Sequence, residues 1–209
     1  MLRTALLSAA VALLGATSAS WLTEGFEVWT AEGARRLAVS NIPVPAPAAT
    51  LEGPGMHSED LHEVLAVPGR VTLMSFVYTR CASLCLSLGS SFQQLQGQIV
   101  RRRLDGVRLL SISFDPAHDD TAQLQQYALQ WGAEPGRWRV ATVHDGPALQ
   151  RLLRDFQVVV IPDGTGGYEH NAALLLIDER GRLVRIFDDA DIDAALAHAL
   201  WIQGLGGGT

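Results

Sequence analysis

Thiols are scarce in this chain: Cys81 and Cys85 are the two cysteines among 209 residues. No third cysteine exists to staple either one to a distant part of the fold, and a loop this short gives little closure stabilisation. A structural disulfide framework is therefore excluded. Positive charge is scarce as well. Lysine and arginine together number 16 against 22 acidic residues, for a formal net charge of −6. Phosphate backbones are bound by basic faces, so nucleic acid is excluded as the main partner. The one basic run, Arg101 to Arg103, is expected near the end of a helix, where it complements the macrodipole. Charged residues make up only 18% of the chain and hydrophobic ones 48%, the balance of a globular core rather than of disorder. Internal repeats are absent.

What is present begins at the N-terminus. "MLRTALLSAAVALLGATSAS" has a single Arg3, an apolar stretch from Ala5 to Ala16, then small residues. Residues 1–20 read as an export signal, with cleavage expected after Ala19 or Ser20. Continued to Leu22, the apolar segment 5–22 also reaches the ~18 residues of a membrane anchor. Either reading exports the domain, to the periplasm, free or held on the inner membrane. Residues 21–57 read as an N-terminal arm and a Pro-rich linker. Phe26, Trp29 and Leu37 have loose helical spacing, and "NIPVPAPAATLEGPG" has the composition of an extended connector.

Residues 58–203 carry the regular pattern, with Ser58 as the expected cap of a short first helix and 204–209 as a flexible tail. "VTLMSFVY" is apolar on both alternating sets of positions, as a strand covered on two faces must be. Leu84, Leu88, Phe92, Leu95 and Ile99 then recur at steps of three and four, which makes an amphipathic helix. "VRLLSISF" and "WRVATV" are further strands, followed by helices capped by Asp120 and Asp145. "AALLLIDERGRLVRIF" reads as a hairpin turning at Glu179 to Gly181, and "DIDAALAHALW" as a last helix. Strands that alternate with helices imply an α/β fold. The expectation is a thioredoxin-like three-layer α/β/α sandwich, with a mostly parallel central sheet and a C-terminal β-hairpin. The cysteines fall at the carboxyl end of the first core strand, where open α/β sheets bind their ligands.

Cysteines four apart at the start of a helix lie on one face of its first turn. Unpaired N–H groups and the helix dipole there favour thiolate over thiol. Two soft thiolates on one face can chelate Cu(I) or Zn, or close to a labile disulfide. The plainer alternative is a pair of small buried hydrophobes. A third ligand has two candidates at the same end of the sheet: His118, in "DPAHDD", and His170, just before a core strand. Position alone favours His170, which faces the redox helix across the site.

"FVYTRCASLC", "ISFDPAHDDT" and "HNAALLLID", taken in order from about Val71 to Phe187, resemble the Sco/SenC family. That family consists of thioredoxin-fold copper chaperones of cytochrome c oxidase assembly. The resemblance implies Cys81, Cys85 and His170 as copper ligands, for Cu(I) or Cu(II), with Asp115, Pro116 and Asp119 beside the site. It implies delivery to a cuproprotein acceptor, such as the copper A centre in subunit II of cytochrome c oxidase, and a thiol reductant protein as a second partner. The competing expectation is a periplasmic thiol–disulfide oxidoreductase that reduces the cysteines of a copper acceptor with Cys81 and Cys85. The chain departs from the family pattern at Leu86, where the family has proline, and in the Gly-rich segment "PDGTGGYE" before His170.

Overall fold

A computed structural model of the chain describes residues 2–204 apart from 24, 27, 81–83 and 165. The first helix, α1, runs Leu2–Leu22, and none of its apolar stretch from Arg3 to Leu22 is buried. At about 1.5 Å per residue it spans about 30 Å, the thickness of a bilayer's hydrocarbon layer. The second, α2 (Ala31–Asn41), is capped by Thr30, whose side chain accepts the Gly33 N–H.

Three parallel strands form the heart of the domain: β4 (Val71–Val77), β5 (Val107–Ser113) and β6 (Trp138–Thr142). All seven residues of β4 are buried, as in a central strand covered on both faces. Helix α4 (Leu84–Arg102) leaves β4 and packs with α7 (Ile192–Ile202) on the sheet. Its periodic residues Leu88, Phe92, Leu95 and Ile99 are all in the core. Helix α5 (Thr121–Trp131) joins β5 to β6, and α6 (Gly146–Asp155) follows β6. Asp120 and Asp145 cap them as expected, Asp120 accepting the Ala122 and Gln123 N–H groups and Asp145 the Ala148 N–H.

The full sheet has eight strands in the order β1-β10-β9-β4-β5-β6-β2-β3. The closing hairpin is β9 (Leu174–Ile177) and β10 (Arg182–Phe187), with β9 antiparallel to β4. The expectation of a mostly parallel sheet is corrected here. Only β4–β5 and β5–β6 are parallel; the neighbours outside them are antiparallel. The difference comes from the segment expected to be a linker. Val44–Pro45 (β1) pairs with β10, while Thr50–Gly53 (β2) and Met56–Asp60 (β3) form a hairpin against β6. The sheet thus begins at Val44 and not after residue 57. Pro45 is tolerated there because β1 is a short strand at the edge of the sheet, where an N–H is left unpaired in any case. Ser58 lies inside β3 with a left-handed φ of 53°, and the cap of α3 (Leu61–Leu65) is Asp60, which accepts the His62 and Glu63 N–H groups.

The Gly-rich segment is also not a free loop. Val160–Pro162 (β7) and Tyr168–His170 (β8) pair antiparallel as a separate two-stranded sheet, and the glycines make its turn.

Candidate metal centre

Three chain segments converge at the carboxyl end of β4 and β5. The first continues from β4 through Tyr78, Thr79 and Arg80. Cys81 comes next and lies outside the described residues, as does the side chain of Cys85, whose backbone is in the first turn of α4.

The second segment is the loop after β5. Asp119 is completely buried and its carboxylate faces the cysteine segment. It accepts the Thr79 N–H at 2.9 Å, the Thr79 hydroxyl at 2.6 Å and the Ser113 hydroxyl at 2.5 Å. Asp115, also buried, receives the Arg80 guanidinium at 2.9 Å and meets His118 Nδ1 at 2.9 Å. Burial by itself would raise the Asp115 carboxyl, but the bonds from His118 and Arg80 together hold it below the usual carboxylate range. Pro116 follows, half-buried, in the tight turn where the His118 and Asp119 N–H groups bond back to the Asp115 carbonyl. The two aspartates therefore grip the residues one and two places before Cys81. Sequence reasoning placed both beside the site but missed Thr79 and Arg80, the groups through which they act. A signal was available in their side chains, since "YTRC" sets a hydroxyl and a guanidinium next to the thiol.

Removing the Asp115 carboxylate should loosen this grip without unfolding the domain. Arg80 and His118 are about half exposed and can turn to water once it is gone. Asp115→Ala is therefore expected to keep a melting temperature within a few degrees of the parent while releasing bound metal faster. A competition titration with a copper chelator beside a thermal melt checks this; collapse of the fold would make Asp115 a purely structural residue.

The third segment is β8, which carries His170 opposite Val160. The imidazole is 9% exposed. Its centroid lies 5.1 Å from the ring of Phe114 and 6.5 Å from that of Tyr78, both in edge-to-face contact. Neither ring nitrogen has a hydrogen-bond partner among the described residues. Burial lowers its pKa from the ordinary 6.5, so the ring stays neutral at neutral pH. A buried imidazole without partners is costly in a structural role and is the state a metal requires.

The other histidines are less suited. His118 is half exposed, with Nδ1 committed to Asp115 and Arg80. His144 approaches Glu52 at 3.7 Å on the surface, His57 and His62 lie in β3 and α3, and His198 packs edge-on to Phe187 and tilted against Trp201. Among the described residues, no three His, Cys, Asp or Glu side chains gather as a metal cage. An open cleft of about 970 Å³, lined by Phe114, Tyr168, Val158, Val160, Arg35 and Arg154, reaches the Phe114 ring that packs on His170.

The architecture is that of a thioredoxin-like protein with a candidate site at the start of its first core helix. Residues 57–201 match the family model described as SCO1/SenC, and the chain belongs to that family. It is 23% identical over 128 residues to a SCO1 protein homolog of Bacillus subtilis, covering 60% of this chain. It spans 66% of that relative's length, just under two thirds. Among solved structures, it resembles a SCO1/SenC family lipoprotein from Bacillus anthracis with a TM-score of 0.67 and 20% identity, over 78% of this chain and 97% of that one. It also resembles Arabidopsis thaliana ScoI, solved with copper bound, with a TM-score of 0.63 and 16% identity, over 75% of this chain and 96% of that one.

Proposed function

We propose that this protein is an exported copper metallochaperone that holds copper through the thiolates of Cys81 and Cys85 and the imidazole of His170. The observation that carries the reading is the buried, neutral imidazole of His170 at the end of β8, without a hydrogen-bond partner among the described residues and packed against Tyr78, which follows the strand that leads into the cysteines. Two thiolates and one imidazole are a donor set suited to copper. Three ligands leave a coordination position open, which suits transfer, whereas a structural zinc site closes with four. The acceptor approaches along the cleft beside Phe114 and Tyr168. It is a cuproprotein exposed in the same compartment, such as the copper A subunit of cytochrome c oxidase, and a thiol reductant keeps the pair open between cycles. Helix α1 tethers the domain to the membrane, a role its length and composition fit.

The test is copper stoichiometry in two redox states. The reduced protein is expected to bind about one copper per chain. The protein with its cysteines joined is expected to bind none, since a disulfide offers no thiolate. Equal copper in both states, by metal analysis after desalting, would place the metal elsewhere.

A further inference from the structure

A metal-binding imidazole needs its ring plane fixed, and the usual device is a hydrogen bond from its second nitrogen to a carboxylate or carbonyl. His170 has none among the described residues. The hairpin that carries it is a two-stranded sheet of its own, and an isolated hairpin is marginal in water. The orientation of the ring therefore depends on whatever ties the hairpin to the body of the domain.

Tyr78 makes such a tie. Its hydroxyl accepts the Tyr168 N–H at 3.1 Å and donates to the Tyr168 carbonyl at 3.2 Å. One side chain thus engages both backbone groups of a residue two places before His170. Tyr78 itself stands three places before Cys81. Its ring packs edge-on to Tyr168 at 5.3 Å and to His170 at 6.5 Å. The neighbouring turn is shaped for this approach. A Cβ on Gly167 would sit 3.2 Å from the Tyr78 hydroxyl and 2.5 Å from Asp163 Oδ2, so only glycine fits without displacing one of them.

We infer that Tyr78 is the positioning residue that sets the span between the cysteine strand and the His170 imidazole. The inference rests on the reading of His170 as a metal ligand. Tyr78 touches no metal; it acts through the backbone of β8 and the packing of the ring. Because one hydroxyl joins the two ligand-bearing segments, it also sets how easily the imidazole arm lifts when copper is handed on.

The experiment compares the full chain, reduced and titrated with Cu(I) for affinity and separately with Cu(II) for absorption, with Tyr78→Phe, His170→Ala and the double variant. Tyr78→Phe keeps the ring and loses the hydroxyl. It is expected to weaken copper binding about tenfold, the equivalent of a hydrogen bond. Its Cu(II)–thiolate absorption should shift toward that of His170→Ala. The double variant should bind no more weakly than His170→Ala alone, since the latch matters only through the imidazole. Gly167→Ala presses on the same latch from the other side and should shift affinity and absorption in the same direction. If His170→Ala weakens binding while Tyr78→Phe keeps the parent's affinity and spectrum, or if the two losses simply add, Tyr78 has no positioning role and His170 remains a ligand. Parent-like binding by His170→Ala would instead remove the ligand reading, and the role of Tyr78 with it.

Discussion

His170→Ala is expected to lower copper affinity by more than about 100-fold. Loss of an outer-shell partner of a metal ligand typically costs 10–100-fold, and removal of a ligand exceeds that. Copper left on two thiolates alone should show an altered copper–sulfur absorption. The reduction potential of the cysteine pair should change little, because the imidazole is no part of the disulfide. The pH dependence carries the signature of burial. The ring binds metal only when neutral, and its pKa lies below 6.5 because burial disfavours the charged form. Copper should therefore stay bound as pH falls through 6.5 and be lost only below it. Metal-free stability moves with the same group. Between 6.5 and the lower folded value the unfolded chain takes up a proton that the folded chain refuses, so stability falls with pH across that window and levels off beneath it. His170→Ala should flatten that slope. If instead the variant binds copper like the parent while Cys85→Ser abolishes reduction of a model disulfide, the protein is an oxidoreductase and His170 a bystander.

The largest loss of stability is expected at Asp119. Its carboxylate is completely buried and accepts three hydrogen bonds, two of them from Thr79. Asp119→Ala would strand the Thr79 N–H and two hydroxyls, each worth about 1–3 kcal/mol when left unsatisfied in the interior, with some recovered by water. A net loss of about 3 kcal/mol lowers the melting temperature by roughly 6–12 °C in a domain of this size. Copper retention should fall with it, because Thr79 stands two residues before Cys81. Asp119→Asn keeps the shape and one carbonyl acceptor and should lose about half as much. A thermal melt of the metal-free protein decides: a loss under about 1 kcal/mol would mean that water replaces the carboxylate without cost.

The sequence determined more of the core than of its edges. The apolar runs at Val71–Val77 and Val107–Ser113 and the spacing from Leu88 to Ile99 were enough to place two central strands and the helix between them. Burial on two faces leaves only small polar residues such as Thr72, Ser75 and Ser111 inside an otherwise apolar run. The caps Asp120 and Asp145 were legible because capping is local chemistry. Residues 44–60 were not legible. Their prolines and glycines read as a linker, and only pairing with β10 and β6, strands more than eighty residues away, makes them part of the sheet. The same holds for the glycine turn at 164–167, whose hairpin depends on the register of Val160 with His170. For the candidate site, residue chemistry and spacing picked out the cysteines and two candidate histidines, and the family resemblance marked the aspartate loop. Position in the chain favoured His170 over His118, and what it left out is the surroundings of each. Tertiary packing commits His118 to Asp115 at the surface and shuts His170, neutral and without a hydrogen-bond partner among the described residues, between Phe114 and Tyr78. Desolvation and hydrogen-bond partners are properties of a place in the fold, and no residue type or spacing encodes them by itself.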